Sequence, residues 1–254
     1  MIDHRPGDLV CTASADVGLA DLNRELARTG QMLALDPPGA NALTLAQIFD
    51  GNLAGPLAHR YGEPRDLVLG MRVRLNDGTR VRFGGSVVKN VAGLDLSRVL
   101  TGAGGALGVI EEVTVRLHPL PEATCTLITG DVDGTAIDRL APACVEYAWP
   151  PGQTLVRFAS PVADALARRA QAIAGGDLVE DDGPLWAGHR ERAAGLHRHR
   201  CLPADCAETI QRLRSAGAAV VVGRLLAGDL RSDVPAPEPA PPGRLERQVL
   251  EAYA

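Results

Sequence analysis

The first part of the chain carries the pattern of a strand followed by a helix. Leu9–Ala15 is a short apolar run with the β-branched character that is typical of a strand. Leu19, Leu22 and Leu26 then recur at helical spacing within Gly18–Gly30, whose last glycine is suited to end a helix. The N-terminal pattern therefore predicts a strand-helix unit.

Further elements are expected between residues 31 and 83. Gln31–Leu35 predicts a strand, and Ala42–Ile48 predicts a short helix that leads into a glycine loop at Gly51–Pro56. Leu67–Leu75 alternates apolar and basic residues, and Arg80–Phe83 returns with the same alternation after an Asn-Asp-Gly-Thr turn. Two alternating runs joined by such a turn predict a β-hairpin.

The pattern of predicted strands and helices changes near residue 121, and this change predicts a domain boundary. Leu96–Leu100 reads as a short helix and Gly108–Leu117 as a strand, with Val113, Val115 and Leu117 on one face. The sequence His-Pro-Leu-Pro that follows stops this strand. We therefore expect a first domain at residues 1–121.

Alternating strands and helices are expected in a second domain at residues 122–233. The predicted strands are Cys125–Thr129, Val145–Trp149, Thr154–Phe158, Leu178–Glu180, Leu196–Leu202 and Ala219–Leu226; the predicted helices are Thr135–Leu140, Pro161–Ala174, Leu185–Ala194 and Pro203–Ser215. In the longest helix, Leu166, Ala170 and Ile173 form the expected apolar stripe. Residues 234–254 read as a proline-rich linker and a C-terminal helix. The fold class predicted for the whole chain is α+β.

Composition and charge argue against several classes of function. The net charge of −5 and the pI near 5.7 oppose binding to nucleic acid, which requires clustered positive charge. No stretch approaches the roughly 18 apolar residues of a membrane-spanning helix, and no leader pattern is seen, so a cytoplasmic location is expected. The five cysteines lack paired spacing and are expected to be reduced thiols.

One segment resembles a metal-binding pattern. His197, His199 and Cys201 would point to one face of a strand, which is formally a metal-ligand geometry. Arg198 and Arg200 alternate with them, however, and their positive charge opposes a cation. We therefore expect no metal site, and no residue stands out as a catalytic acid or base.

The segment Gly84–Glu112 has the most distinctive chemistry. It contains seven glycines and Lys89, the only lysine among the 26 lysine and arginine residues. Lys89 is suited to neutralise a phosphate or a carboxylate, since its ammonium group is a compact charge. The alternative, which we favour, is a lysine that closes a loop by bonding to backbone carbonyls.

Two motifs in this segment carry a resemblance to a known family. The motifs Lys89–Ser97 (KNVAGLDLS) and Gly105–Val113 (GALGVIEEV) resemble the FAD-binding E-type subunits of bacterial glycolate oxidase. Those subunits belong to the flavoproteins with an FAD domain of the p-cresol methylhydroxylase (PCMH) or vanillyl-alcohol oxidase type. The resemblance begins at His4–Val10 and runs through Tyr61–Asp66. It appears again weakly at Pro184–Trp186 and Leu245–Arg247, so that it covers most of the chain.

The resemblance implies a PCMH-type FAD-binding domain followed by a smaller α+β cap-like domain, with FAD as the cofactor. In that family, glycine-rich loops bring backbone N–H groups to the diphosphate and the ribityl chain of FAD. The FAD-binding residues implied here are Gly51, Asn52 and Gly55 in a first loop and Gly104, Gly105, Gly108, Val109 and Ile110 in a second. Arg65 and Asp66 match a further motif of the family, where a structural ion pair is an equal expectation.

The chain also departs from the family pattern. Family members carry an additional N-terminal βαβ subdomain with a glycine-rich diphosphate loop, and the resemblance begins after that subdomain. Ala46 and Gln47 stand at a usual glycine pair, and Leu94 stands at a usual tyrosine. The Asn-Pro-Gly-Arg ending of the family is not found beyond Tyr253.

Three functional hypotheses follow. The first is an FAD-binding subunit of a glycolate oxidase-like 2-hydroxy acid dehydrogenase complex, which positions the cofactor and relays electrons but is inactive alone. The resemblance implies a sister flavoprotein and an iron-sulfur subunit as partners, and through them a possible position at the periphery of the inner membrane. The second is a flavin-free subunit that serves assembly of such a complex. The third is that the true start lies upstream and includes the missing subdomain.

Overall fold

A five-stranded antiparallel sheet organises the N-terminal part of the computed structural model, which describes residues 1–85, 96–130 and 134–236. The elements are β1 (Ile2–Arg5), β2 (Val10–Ser14), α1 (Leu19–Ala27), β3 (Gln31–Met32), α2 (Leu45–Asp50), α3 (Ala58–Tyr61), α4 (Pro64–Leu67), β4 (Val68–Leu75), β5 (Arg80–Gly84), α5 (Leu96–Leu100), β6 (Gly108–Arg116) and β7 (His118–Pro119). The strand order is β1-β2-β6-β4-β5, and β3 pairs with β7 in a separate two-stranded sheet.

The core of this part lies between the sheet and the helices α1 and α2. Val113 and Val115 of the central strand β6 are fully buried, as are Leu22 of α1 and Phe49 of α2. The alternation of apolar residues along β6 matches the two-residue period of a strand, so one face meets the helices. This packing fixes the C-terminal end of α2 close to the start of β6.

A seven-stranded antiparallel sheet follows. Its elements are β8 (Thr124–Thr129), α6 (Gly134–Asp138), β9 (Cys144–Trp149), β10 (Gln153–Ala159), α7 (Ala163–Ala174), β11 (Asp177–Val179), α8 (Gly183–Ala193), β12 (His197–Arg200), α9 (Cys206–Ser215), β13 (Val221–Arg224) and β14 (Asp229–Ser232). The strand order is β11-β8-β10-β9-β13-β14-β12. Mixed helices and antiparallel sheets confirm the predicted α+β class.

Helices cover both faces of the larger sheet. Along β9, Val145 belongs to the hydrophobic cluster under α7, and Tyr147 packs on the cluster of α9. The alternate residues Cys144 and Ala148 belong to the cluster that contains Trp186 of α8. Since successive side chains of a strand point to opposite faces, α7 and α9 cover one face and α8 covers the other.

A buried ion pair lies where α8 begins. Asp182 is 1% exposed and accepts two hydrogen bonds from the Arg157 guanidinium, at 2.8 and 2.9 Å. The hydroxyl groups of Thr124 and Thr126 also donate to this carboxylate, and the Trp186 indole N–H donates to Thr126. A buried charge needs this degree of pairing, because leaving it unpaired is costly.

Several predicted elements are confirmed with small shifts of their ends. The helix α1, the β4–β5 hairpin, the helix α5 and the strand β6 lie where the sequence predicts them. The helix α2 begins at Leu45 and not at Ala42, because Thr44 and Gln47 form a capping box at its start. Gln47, one of the departures from the family pattern, thus has a structural role.

Other predictions were wrong. The strand predicted at Gln31–Leu35 ends at Met32, because the main chain of Leu33 bonds to the side-chain amide of Asn23 and not to a neighbouring strand. Ile173 is 54% exposed, and the buried face of α7 consists of Ala163, Ala167 and Ala170. The strands β1 and β14 and the helices α3 and α4 were not predicted. The domain division at residue 121 falls between β7 and β8 and stays a prediction.

Candidate functional site

The first predicted loop lies at the end of α2 and is held by hydrogen bonds within the protein. The Gly51 N–H donates to the carbonyl of Gln47 at 3.0 Å and continues the last turn of the helix. Asn52 is buried, with a positive φ of 44°. Its side chain donates to Glu63 at 2.8 Å and accepts the main-chain N–H of Arg65 at 3.2 Å. Asn52 therefore ties this loop to the start of α4.

Gly55, in the same loop, lies directly against Asp36. A Cβ atom at this position would overlap the main-chain carbonyl of Asp36, so the close approach requires glycine. The Asp36 carboxylate accepts the N–H of Leu57 at 2.9 Å and lies 3.9 Å from the Arg190 guanidinium of α8. Burial raises the pKa of Asp36 to about 7, although the bond from Leu57 and the charge of Arg190 oppose this shift.

Gly104 and Gly105 form the open part of the second loop. Both have positive φ (61° and 76°), and a Cβ at Gly104 would meet no atom within 4 Å. Their N–H groups are nevertheless engaged: Gly104 donates to the carbonyl of Asp50 at 3.0 Å, and Gly105 donates to its carboxylate at 2.6 Å. The main-chain carbonyl and the carboxylate of Asp50 thus engage the two amides that an anionic ligand would need.

The remaining residues of the second loop enter β6 and have different surroundings. A Cβ at Gly108 would lie 2.5 Å from the Arg74 carbonyl oxygen and 2.9 Å from Leu75 Cα, so glycine is required for pairing with β4. Val109 is 53% exposed, whereas Ile110 is buried in the core. Of these three residues, only Val109 exposes a side chain at the surface.

These contacts test which part of FAD the described loops fit. The N–H groups of Gly102 and Gly108 are also bonded to protein, to the carbonyls of Phe49 and Gly105. The loop therefore does not fit the diphosphate, because its amides are engaged and the Asp50 carboxylate would repel a second anion. The bare backbone at Gly104 and Gly105 does fit the close approach of an uncharged group. Contact of FAD with these residues stays a prediction.

The other motif residues are placed as follows. Arg65 lies 3.9 Å from Glu63, and Asp66 accepts the N–H of Glu63 at 3.0 Å in a capping box. The structure thus places both residues against Glu63. The ionic partner of Arg65 there is Glu63 and not Asp66. Lys89 and Leu94 lie outside the described residues.

A buried charge cluster between the two larger sheets was missed by the sequence analysis. His189 of α8 lies 3.1 Å from the Glu146 carboxylate of β9, whose second oxygen is buried without a protein partner. Arg224 of β13 pairs with Asp229 and reaches Glu63 of the N-terminal part at 3.4 Å. The adjoining cavity of about 20 Å³ is sufficient for one water molecule. In the sequence, charged residues on short strands resemble those of a solvent-exposed face, so the pattern did not indicate that these residues are buried together.

The residues of the possible metal pattern have other partners. His199 is buried, and its Nε2 lies 2.9 Å from the Ser232 hydroxyl. Arg198 forms two hydrogen bonds of 2.7 Å to Asp229, and Cys201 lies beyond the end of β12. Within residues 1–85, 96–130 and 134–236, no group of three or more His, Cys, Asp or Glu side chains is arranged to hold a metal ion.

Comparisons with known proteins agree with the resemblance. The family described as FAD binding domain matches residues 1–84. Glycolate oxidase subunit GlcE of Escherichia coli is 40% identical over 50% of this chain and 37% of its own length. Glycolate oxidase subunit GlcD of Bacillus subtilis is 31% identical over 72% of this chain and 40% of its own length. The chain thus spans about two fifths of the length of these relatives.

Solved structures support the fold. A structure of alkyldihydroxyacetonephosphate synthase superposes with a TM-score of 0.71 and covers 98% of this chain and 60% of that protein. At 14% sequence identity this likeness concerns the fold alone. No helix among the described residues is long and apolar enough to cross a membrane. The family match, the fold of the solved structure and the two relatives together show that this chain carries part of an FAD-binding domain with a PCMH-type fold and is similar to glycolate oxidase subunits.

Proposed function

We propose that this chain is an FAD-domain subunit of a glycolate oxidase-like 2-hydroxy acid dehydrogenase complex. The observation that carries the proposal is the match of residues 1–84 to the FAD-binding domain, supported by the similarity to two glycolate oxidase subunits. In this proposal the chain works with a sister flavoprotein and an iron-sulfur subunit in the cytoplasm, or at the inner membrane through those partners. Its contribution is to position the flavin and to relay electrons.

The geometry of the second loop defines what this chain contributes to binding. FAD supplies the redox chemistry when it is bound. The bare backbone of Gly104 and Gly105 receives an uncharged part of the cofactor, because no side chain holds a ligand away there. The diphosphate is held by groups other than the amides of Gly104 and Gly105, since Asp50 already accepts both. The binding site is therefore completed by another segment or subunit.

A second candidate is a flavin-free subunit that serves assembly of the complex. The engaged amides of the second loop favour this candidate, because the glycines then serve only the turn and the pairing of β6 with β4. In that case the family's fold is retained for its interfaces and not for its cofactor.

Flavin stoichiometry separates the two candidates. The chain is purified alone and together with its co-expressed partner subunits, and the FAD released by denaturation is counted per complex. The proposed function predicts more FAD in the complete complex than the sister flavoprotein carries by itself. An equal amount of FAD would support the assembly subunit and refute the cofactor proposal.

The substitution Gly104→Asn tests the position of the cofactor. Asparagine tolerates the left-handed backbone at this glycine, and its side chain would enter open space, so the fold is expected to persist. We expect the complete complex to lose the FAD that this chain contributes, while the circular dichroism spectrum of the variant chain is unchanged. The matched control is Gly30→Asn at the end of α1, where φ is 70° and nothing lies within 4 Å. Full flavin in Gly104→Asn would exclude contact at this loop.

A further inference from the structure

Two cysteines at the start of α9 lie in direct contact. Cys201 follows β12, Cys206 is the first residue of α9, and their sulfur atoms are 3.6 Å apart. A short 3-10 turn at Pro203–Asp205 folds the chain back between them. The Cys201 N–H donates to the Gly228 carbonyl at 2.9 Å and fixes the backbone on that side.

The other three cysteines have different surroundings. Cys11 lies in the core of the first sheet, and Cys125 and Cys144 lie in separate clusters on opposite faces of the second sheet. All three are at most 1% exposed. Burial raises the pKa of the Cys11 thiol to about 11 and shifts those of the other two upward. These thiols are therefore protected from reagents in solution.

The contacting pair separates two surface depressions of different chemistry. Cys201 is half-buried and lines a polar cleft of about 210 Å³ that contains charged side chains of both signs: Glu63, Arg198, Arg200, Arg224 and Asp229. Cys206 lines a mostly apolar groove of about 400 Å³ between α9 and the sheet. A small polar oxidant reaches Cys201 from this cleft, because Cys201 is the more exposed cysteine of the pair and Cys206 is only 4% exposed.

Cys206 is suited to react second. Burial, followed by the hydrogen bond with Cys201, raises the pKa of the Cys206 thiol to about 12. Its sulfur lies 3.2 Å from the Leu225 carbonyl, which accepts the thiol proton. Cys206 therefore stays protonated at neutral pH and does not compete for the oxidant.

We propose that Cys201 and Cys206 are a redox-active thiol pair that a hydroperoxide, such as hydrogen peroxide, oxidises to a disulfide. The Cys201 sulfur attacks one peroxide oxygen, the O–O bond breaks, the proton released by the Cys201 thiol joins the departing hydroxide, and Cys201 becomes a sulfenic acid as the first water leaves. Cys206 then attacks the sulfenic sulfur, its thiol proton joins the departing hydroxyl group, and a second water leaves. Two thiols and one peroxide thus give one disulfide and two waters.

The bond requires a modest local movement. The sulfur atoms must approach from 3.6 Å to about 2.05 Å, the length of a disulfide bond. A Cβ at Gly228 would overlap the Cys201 carbonyl, so the backbone of Cys201 is closely packed. We expect the first turn of α9 to move instead, together with Pro203 and Ala204 at the rim of the apolar groove.

The test uses the full chain treated with a small excess of hydrogen peroxide. We expect two of the five thiols to be lost, a mass decrease of two hydrogen atoms, and a peptide that links residues 201 and 206. In Cys206→Ser, Cys201 should remain a sulfenic acid that dimedone traps. In Cys201→Ser, Cys206 should stay reduced. Cys125→Ser is the matched control and should form the disulfide like the natural chain.

The following outcomes would overturn the proposal. Retention of all five free thiols at peroxide levels that oxidise an exposed model thiol would show that the pair is inert. Dimers linked between chains, or a disulfide that involves Cys11, Cys125 or Cys144, would show that the contact does not direct the reaction. Dimedone labelling of Cys206 in Cys201→Ser would reverse the assigned order.

Discussion

The substitution Gly108→Ala tests whether a glycine of the family motif is required by the fold itself. Gly108 has φ 143°, in a region that is essentially restricted to glycine. A Cβ there would lie 2.5 Å from the carbonyl oxygen of Arg74 on β4. The central strand β6 would have to move away from β4, or the backbone of Gly108 would have to change.

The expected loss of stability is the sum of two effects. Forcing an alanine into this backbone conformation costs about 1–3 kcal/mol. Inserting a methyl group into a packed contact costs about 1–3 kcal/mol more. The total of about 2–6 kcal/mol is a large part of the roughly 5–15 kcal/mol that stabilises an ordinary domain.

Urea unfolding followed by circular dichroism measures this loss. The matched control is Gly104→Ala, which has a left-handed backbone but open space around the new Cβ, and should lose only about 1–2 kcal/mol. Equal stability of the two variants would refute the reasoning from close packing. If the prediction holds, a loss of flavin caused by any substitution at Gly108 reports damage to the sheet and not a lost contact with FAD.

Two further predictions concern buried charges. Asp182→Ala should lower the free energy of unfolding by about 3–5 kcal/mol, because the largely buried Arg157 loses its partner. Asp164→Ala removes an exposed pair and should cost at most about 1 kcal/mol. Similar losses for the two variants in chemical denaturation would contradict this prediction. The pKa of Asp36 is raised to about 7 in the folded state. Between about pH 4 and about pH 7 the native state therefore holds a proton that the unfolded state has released. The contribution of Asp36 to stability falls as pH rises over this range. The stability of Asp36→Asn relative to the natural chain should therefore increase over that range, and a pH-independent difference would refute the shift.

The elements with strong periodicity were predictable, and the short polar ones were not. Leu19, Leu22 and Leu26 recur at helical spacing and are all buried in α1, so pattern and packing agree. The strands β1 and β14, with sequences IDHR and DLRS, have too few apolar residues to show a period. Their positions follow from pairing with β2 and with β13 and β12, which is information from distant parts of the chain.

The candidate site was likewise predictable from the sequence only in part. The glycines of the second loop were identifiable from the family motif, but their roles depend on neighbours that lie far away in sequence. Gly105 bonds to Asp50, and Gly108 packs on Arg74. The contact of Arg224 with Glu63 joins residues 161 positions apart, and no local pattern indicates it.

The amount of FAD in the assembled complex is the most direct test of the central claim that this chain completes a flavin site which it does not form alone. The account predicts that the isolated chain retains little FAD, that the complete complex carries FAD beyond that of its sister flavoprotein, and that Gly104→Asn removes the additional cofactor while Gly30→Asn does not. A complex whose FAD content is the same with and without this chain would contradict the claim.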